Sequence, residues 1–414
     1  MDILGDREVI ALGETLKKNS SERKYLVSDL ILEKDGKTYQ FVDIVMEGGG
    51  VLGIALVGYI YALELADIRF LGVGGSSVGG IVSLLLMCCG WRTEEKGAAL
   101  ADMLSKMELS SLVDGGPFSS RLCRRLGSEN PYKNKLFLAF LIALSGRTLI
   151  KKLGLNPGDR FFSWLTDCLA EYGIHTLEDA RKKIEYIPDG LTHRLQGSNF
   201  RRPVAELKIV AADLTTSSKV VFPEMAQLYW ENPNTINPAL FARASMSIPG
   251  FFQPMEVTGV RSIVNSTEKW DALCSFDGTI PDRIYFADGG LLSNFPISLF
   301  HRPNVPNAPT FGAKLGSAKR VVNEIESVFG YGVNLVTSMW HCSDYDFIYQ
   351  NPDYHRLITY IPTDGHNCLN FFMSDEEKLV LFRKGMIAAI EFLDKFDWPA
   401  YKEVRRIQQA AAEQ

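Results

Sequence analysis

Two stretches of the chain decide its fold: FVDIVMEGGGVLG at residues 41–53 and RFLGVGGSSVGGIVSLLLMCC at residues 69–89. Each begins with a short apolar run rich in β-forming residues, and glycines end that run. The apolar stretches that follow, at 51–65 and 81–89, are hydrophobic nearly all round, which is typical of buried helices. Strand, turn and helix twice in succession predict a βαβ unit with parallel strands and a right-handed crossover.

The rest of the chain adds further strands and helices to this unit. Residues 100–200 are mostly helical in character, with amphipathic stretches. Strand patterns return at 206–212, 219–222 and 284–287. Residues 374–377 (SDEE) have the form of a capping box, and they open a helix that we expect to pack against the sheet.

The composition excludes several classes of protein. The 414 residues are 46% hydrophobic and 22% charged, which is ordinary for a globular chain of two average domains or one large one. The formal net charge of −5 argues against a general nucleic-acid binder, because neutralising phosphates requires a basic surface. The seven cysteines contain no C-x-x-C pair, so they fit neither a zinc site nor a disulfide framework.

The charge is unevenly distributed along the chain. Residues 117–202 contain 15 Lys and Arg against 8 Asp and Glu, a local net charge of +7 that leaves −12 for the rest. Such asymmetry is typical of a face that docks on an anionic surface. Solvated helix faces give the same count, so both interpretations stay open at this point.

Ser77 is the predicted nucleophile. Residues 75–79 (GSSVG) match the G-x-S-x-G pattern, in which a sharp strand-to-helix turn requires small flanking residues and projects the serine hydroxyl out of the sheet. The turn also places the hydroxyl at a helix N-terminus, where the helix dipole favours a developing oxyanion. Ser76 is the competing nucleophile, but the glycine spacing selects Ser77. An ordinary serine in a glycine-rich turn is the alternative interpretation.

Gly48, Gly49 and Gly50 are the predicted oxyanion hole. They end the first strand, and consecutive glycines let backbone N–H groups converge into an anion-binding nest. A dinucleotide-binding loop would have an acidic residue about 20 positions later, where this chain has the serine turn instead. A phosphate-binding P-loop would have Gly-Lys-Ser/Thr, which is absent from the sequence.

Asp288 is the predicted general base. It follows the strand pattern RIYFA at 283–287 and precedes two glycines, so its carboxylate is expected at the end of a strand with space around it. A carboxylate within hydrogen-bond reach of a serine can take its proton without an imidazole. None of the six histidines stands in a context that marks it as a base, although His301 and His366 fall in plausible loops.

These motifs, in this order, resemble the patatin-like phospholipases, bacterial members in particular. Further stretches between about residues 41 and 398 are similar to that family as well. They are LKIVAADLTTSSKVVFP at 207–223, RASMSIPGFFQP at 243–254, LLSNFP at 291–296 and PTFGAKL at 309–315.

The resemblance implies a three-layer α/β/α fold with a central, mostly parallel sheet and a largely helical insert. It also implies a Ser77–Asp288 dyad, an oxyanion hole at Gly48, Gly49 and Gly50, and hydrolysis of lipid acyl esters, of phospholipase A type, without a metal or cofactor. An acyl-enzyme would form at Ser77 and be released by a water that Asp288 activates.

The sequence departs from the family pattern at two positions. The family usually has Lys or Arg where this chain has Leu52, and a smaller residue where it has Val78. Leu52 removes a cation near the glycines and mildly favours neutral glycerides, so an esterase or lipase for neutral lipids is one alternative. Val78 is expected to narrow the acyl pocket. A regulated scaffold that binds lipid or a protein without turnover is the alternative from another class.

Lipid substrates lie in an interface, so we expect peripheral contact with a membrane. Residues 136–144 (LFLAFLIAL) are too short to span a bilayer, and basic residues flank them: Lys133, Lys135, Arg147, Lys151 and Lys152. Shallow insertion with the cations on anionic headgroups is one interpretation. A buried helix of the insert is the other.

The expected division of the chain has three parts. They are a loosely attached leader at 1–40, a hydrolase domain at 41–398 with a helical insert or lid at 100–200, and a tail at 399–414. The N-terminus lacks the features of a signal peptide, which predicts a cytoplasmic or peripheral membrane location; export without an N-terminal signal stays open. Bacterial members of the resembled family include effectors that stay idle until a partner or small molecule binds, so an activator that the residues do not identify also stays open.

Overall fold

The computed structural model describes most of the chain, and for a few residues, 135–140 among them, it describes the backbone alone. The described residues are 2–22, 24–128, 135–197, 200, 203–263, 266–317 and 346–412.

The strands and helices are numbered in chain order. The strands are β1 (Leu30–Lys34), β2 (Lys37–Met46), β3 (Ile68–Ser76), β4 (Gly154–Asn156), β5 (Thr192–His193), β6 (Glu206–Asp213), β7 (Ser218–Phe222), β8 (Gly250–Phe252), β9 (Met255–Thr258), β10 (Arg283–Asp288), β11 (Thr310–Leu315) and β12 (Ile358–Ile361). The helices are α1 (Arg7–Ser21), α2 (Gly53–Leu65), α3 (Val78–Cys88), α4 (Gly97–Lys106), α5 (Pro117–Leu126), α6 (Lys135–Lys152), α7 (Asp159–Glu171), α8 (Leu177–Ile184), α9 (Ala239–Ser245), α10 (Ser266–Cys274), α11 (Gly290–Ser293), α12 (Asp375–Lys395) and α13 (Trp398–Ala412).

The main sheet is mostly parallel, as predicted. Its strand order is β12-β11-β2-β3-β6-β10-β9, and the pairs from β12 to β6 are parallel. The unit β2-α2-β3-α3 is the predicted strand–turn–helix repeat, and α2 and α3 are buried on nearly every side because they are apolar all round. The strand β10 differs, since it runs antiparallel to both β6 and β9.

The sheet has packed layers on both of its faces, which confirms the three-layer fold. In β2, Ile44 and Met46 belong to the large core cluster that includes the residues of α2 and α3. Val45, which points to the opposite face, packs in a second cluster with Phe295 and Trp398. The helix α12 begins at the predicted capping box and packs closely on α2, where Gly385 lies against the backbone of Ala55.

Residues 1–40, expected to form a loosely attached leader, are packed against the rest of the chain. Helix α1 buries Val9 and Leu16 against the core, and Arg383 of α12 binds the Asp6 carboxylate at 2.6 Å. The strand β1 pairs antiparallel with β2. Apolar residues that are few but correctly spaced, together with a part-buried ion pair, hold this polar segment in place.

The C-terminal segment, expected to be a tail, is likewise packed against the rest of the chain. Helix α13 buries Trp398 and Tyr401, and its Lys402 Nζ lies 2.5 Å from the Asp29 carboxylate. Its Arg405 contacts the buried Asp353 at 3.3 Å. The division of the chain at residues 40 and 398 therefore stays a prediction. The segments before residue 40 and after residue 398 both pack against the body of the protein.

Residues 100–200 contain α4 to α8, so this region is largely helical as predicted. The predicted membrane segment at 136–144 lies within α6, and the side chains of 136–140 and 143 lie outside the described residues. Among the described side chains of this segment, Leu141 is buried while Ile142 and Leu144 are exposed. None of the helices in the described part of the chain is both long and apolar enough to cross a bilayer.

Candidate active site

Ser77 stands alone in the sharp turn between β3 and α3. Its backbone has φ 51° and ψ −125°, a conformation that non-glycine residues rarely adopt and that often accompanies function. The turn has no room for side chains beside it: a Cβ on Gly75 would lie 2.6 Å from the Met46 carbonyl oxygen, and one on Gly79 would lie closer still to the same oxygen. These contacts explain why glycines flank the serine.

The Ser77 hydroxyl and the Asp288 carboxylate meet. Ser77 Oγ donates a hydrogen bond to Asp288 Oδ2 at 2.5 Å, and both side chains are buried, at 5% and 3% exposure. The sheet register places them together, because Ser76 is paired with Val210 of β6 while Asp288 is paired with the next residue, Ala211. Asp288 is the last residue of β10, so it lies at the end of a strand as predicted, and β10 runs antiparallel to β6.

Neither of the two histidines in plausible loops, His301 and His366, is hydrogen-bonded to Ser77 among the described residues. His301 Nδ1 instead shares a hydrogen bond with the Tyr354 hydroxyl at 2.8 Å. His366 lies in the loop before α12, and no hydrogen bond joins it to Ser77 among the described residues. The serine's described side-chain partner is the carboxylate.

Two serines that the sequence reasoning did not single out support the dyad from α9 and the turn after it. Ser245 Oγ accepts a hydrogen bond from the Ser77 amide at 2.8 Å and donates to the Val210 carbonyl at 2.6 Å. The Ser247 carbonyl accepts from the Asp288 amide at 2.9 Å. Both serines lie in the stretch RASMSIPGFFQP at 243–254, whose sequence pattern alone does not predict a role for their side chains.

Of the three predicted glycines, Gly48 lies directly against Ser77, while Gly49 and Gly50 lie against Leu315 and Cys368. A Cβ on Gly48 would be 3.0 Å from the Ser77 Cβ, and Gly50 has the left-handed φ of 55°. The Gly48 amide donates to the Asn294 carbonyl at 2.9 Å and is therefore already engaged. The amides of Gly49 and Gly50 make no hydrogen bond to any described residue, so they are the ones available to an anion.

A buried ion pair lies beneath this glycine loop. Lys314 Nζ of β11 lies 2.5 Å from Glu47 Oε1, and the Leu315 amide donates to Glu47 Oε2 at 2.6 Å. The Asn294 side chain also reaches Glu47 Oε1, at 3.4 Å. Glu47, the residue just before the glycines, is thus held by groups that are distant in sequence. The spacing of residues within the glycine motif does not predict these partners.

Burial changes the acidity of the dyad carboxylate. Desolvation raises the pKa of Asp288 from 3.8 to about 6, although the hydrogen bonds from Ser77 and from the Gly290 amide favour the charged form. A carboxyl group with a pKa of about 6 is a stronger base than an exposed aspartate and is still mostly ionised at neutral pH. The arrangement can therefore accept the serine proton.

The sequence profile of the patatin-like phospholipase family matches residues 44–301, which include the glycine loop, the serine turn and Asp288. The chain belongs to the patatin-like phospholipase family. This confirms the resemblance and supports a lipid hydrolase.

Individual proteins similar to this patatin-like chain come from several bacteria. The uncharacterised protein YqhO of Bacillus subtilis is 27% identical over 363 residues, which cover 86% of this chain and all of YqhO. The solved structure of VipD from Legionella pneumophila is 17% identical, with a TM-score of 0.41, and the match covers 92% of this chain and 73% of VipD. ExoU of Pseudomonas aeruginosa, solved in complex with SpcU, is 16% identical with a TM-score of 0.36, covering 86% of this chain and 52% of ExoU.

An apolar pocket opens from Ser77 in this patatin-like fold. It is bounded by α2, α3, α4, α7, the 248–252 segment and the loop that carries Phe371. Phe371 stacks on Phe251, with ring centroids 4.7 Å apart. The walls include Ile54, Ile81, Leu104, Leu112, Phe161, Trp164, Met246, Ile248, Phe252 and Phe371. Its chemistry suits a hydrocarbon chain.

The two unusual residues of the motifs occupy different places. Val78 lines the pocket beside Ser77, and its Cγ2 fills the space that a Cβ on Gly53 would need. Leu52 is buried at 6% exposure and is not among the residues that line the pocket. Val78 therefore touches the space for the acyl chain, while Leu52 acts at most on the loop.

Proposed function

We propose that this protein hydrolyses acyl esters of membrane phospholipids, as a phospholipase of A type, through the Ser77–Asp288 dyad. The observation that carries the proposal is the 2.5 Å hydrogen bond between Ser77 Oγ and Asp288 Oδ2 at the mouth of an apolar pocket. A hydroxyl, a base of raised pKa and space for an acyl chain are the parts that ester hydrolysis requires.

In the first half of the proposed cycle, Ser77 Oγ attacks the ester carbonyl carbon while its proton passes to Asp288. The carbonyl oxygen becomes an oxyanion, which the amides of Gly49 and Gly50 stabilise together with the N-terminus of α3. We omit Gly48 from the predicted hole because its amide binds Asn294. Collapse of the intermediate expels the alcohol, which takes the proton from Asp288, and leaves an acyl-serine.

In the second half, a water replaces the alcohol. Asp288 takes a proton from this water, whose oxygen attacks the acyl carbon, and the same glycine amides hold the second oxyanion. Ser77 leaves with the proton from Asp288, and the free fatty acid departs. The cycle returns both residues to their starting state.

The test is turnover of one defined phospholipid whose two acyl chains differ in mass. We expect the wild type to release fatty acid and lysophospholipid, and Ser77→Ala and Asp288→Asn each to lose more than about 1,000-fold in rate. Ser76→Ala is the matched control: this neighbouring hydroxyl is buried and has no hydrogen-bond partner in the described structure, so its loss should leave turnover nearly unchanged.

Other products would assign the protein differently. Turnover of triacylglycerol without turnover of phospholipid would favour the neutral-lipid esterase. Binding of lipid with no turnover of either substrate would favour the scaffold. Full activity in a folded Asp288→Asn variant would contradict the dyad.

A further inference from the structure

The positive charge of the chain is concentrated in one part of the helical region. Residues 117–153 contain eight Lys and Arg against one acidic residue, a net charge of +7, while residues 154–202 are balanced at seven of each sign. The whole excess found at 117–202 therefore belongs to the segment that forms α5 and α6.

The same segment exposes large apolar side chains. Among the described residues, five of the fourteen exposed large apolar side chains fall between positions 118 and 153, so the exposure is clustered and not scattered. They are Phe118, Ile142, Leu144, Ile150 and Leu153, and Ile150 is the most exposed of them, at 79%. Large apolar side chains exposed together and bordered by polar residues are typical of protein–protein or membrane interaction sites.

Exposed cations stand beside these apolar side chains. On α5, Phe118, Arg121 and Arg124 follow each other at intervals of three, and the Arg121 guanidinium lies 6.0 Å from the Phe118 ring centre. At the end of α6, Lys151 and Lys152 stand between Ile150 and Leu153. None of these four cations has a carboxylate within ion-pair distance in the described part of the structure. We call these exposed residues of α5 and α6 the α5–α6 face.

The α5–α6 face adjoins the acyl pocket. Arg124 lines a groove that shares Met107, Leu109, Phe371 and Lys378 with that pocket, and its guanidinium lies 4.3 Å from the Phe372 ring centre. On the other side, α6 leads into β4, which pairs with the 250–252 strand that forms part of the pocket wall. A surface bound to this face would present lipid to the groove.

We propose that the α5–α6 face docks this protein on an anionic phospholipid bilayer. Apolar side chains that enter the acyl boundary, flanked by cations that bind headgroups, match such a surface in both chemistry and charge. The clustering of the apolar residues around Lys151 and Lys152 favours a bilayer over an acidic protein, which would require the cations alone. The proposal rests on the proposed function for its purpose, but docking is measurable without turnover.

The experiment uses the full-length Ser77→Ala protein, so that hydrolysis does not alter the vesicles. Sedimentation with vesicles of phosphatidylcholine alone is compared with vesicles that contain about a third phosphatidylglycerol. We expect binding to the anionic vesicles only, and a loss of binding as salt rises, because exposed charges are screened. Equal binding to neutral vesicles would overturn the charge argument.

Two pairs of variants locate the binding surface. Lys151→Gln with Lys152→Gln should weaken vesicle affinity about 30-fold, whereas Lys17→Gln with Lys18→Gln, an exposed lysine pair on α1, should not. Ile150→Ser should weaken affinity about tenfold or more, whereas Ile407→Ser, 62% exposed on α13, should not.

The remaining outcomes separate the two proposals. If the Lys151 and Lys152 variant binds like the parent, or if Ile150→Ser converts a dimer into a monomer without vesicles, the docking proposal is overturned. If vesicle binding follows the prediction while the wild type cleaves neither a soluble ester nor a phospholipid, docking stands and the proposed hydrolysis fails.

Discussion

The proposed catalytic centre and the α5–α6 face are built in opposite ways. At the centre, Ser77 and Asp288 are almost fully buried, and their backbone amides donate hydrogen bonds to Ser245 Oγ and to the Ser247 carbonyl. At the face, the side chains are exposed, and the cations named above have no described ion-pair partner. A chemical reaction requires that the reacting atoms are held in a fixed geometry. Binding to a bilayer instead depends on the sum of many small free-energy contributions from separate side chains.

The largest expected contrast comes from Gly50→Ala. A Cβ at this position would clash with the Cys368 carbonyl, and a φ of 55° is unfavourable for alanine. The loop must therefore move, and the Gly49 and Gly50 amides would no longer point at the oxyanion. We expect a loss of about 100-fold or more in turnover, equal for a soluble short-chain ester and for vesicles. The Lys151 and Lys152 variant should lose turnover on vesicles alone.

Gly36→Ala is the control for backbone strain. Gly36 has φ 75° in the turn between β1 and β2, with open space around it, so the substitution imposes a similar conformational cost far from the serine. It should lower the melting temperature without changing turnover. A Gly50→Ala protein that loses activity only on vesicles would break the distinction between centre and face.

The dependence of activity and of vesicle binding on pH also distinguishes the catalytic centre from the α5–α6 face. Because Asp288 must be ionised to act as a base and burial raises its pKa to about 6, kcat/KM on a soluble ester should fall about tenfold per pH unit below pH 6 and level off above it. Vesicle binding by Ser77→Ala should change little from about pH 5.5 to 8, because docking through the α5–α6 face does not require the Asp288 carboxylate. A rate that stays constant down to pH 5 would contradict the assignment of the base.

The same shift predicts a stability effect. The folded-state pKa of Asp288 lies above its unfolded value of 3.8, so this carboxyl destabilises the fold increasingly as the pH rises from about 4 to 6. Asp288→Asn should therefore raise the free energy of unfolding at pH 7.5, by roughly 3 kcal/mol at most, and the gain should vanish near pH 4. Denaturant unfolding at the two pH values measures this difference.

Much of the local structure was predictable from the sequence, because it follows from near neighbours. The strand β3, the turn at Ser77 and helix α3 depend on a run of apolar residues and glycines that all lie within about 20 positions. The βαβ unit and the capping box at Ser374 were predictable for the same reason. The residues that determine each of these elements lie within the element itself.

The remaining features depend on contacts between distant segments. Nothing near Asp288 shows that β10 is antiparallel, and nothing near Gly48 shows that its amide is engaged by Asn294. The attachment of α1 and α13 depends on ion pairs such as Arg383 with Asp6, which join opposite ends of the chain. Hydrophobic periodicity does not record which partner a charged or polar side chain finds.

The most direct measurement is the rate at which a fluorophosphonate probe modifies the protein, with the site mapped by mass spectrometry. We predict a single adduct on Ser77 in the wild type, and a rate lower by at least about 100-fold in folded Asp288→Asn, because the carboxylate activates the hydroxyl. Modification of another serine, or equal rates in the two proteins, would show that Ser77 and Asp288 do not act as a pair.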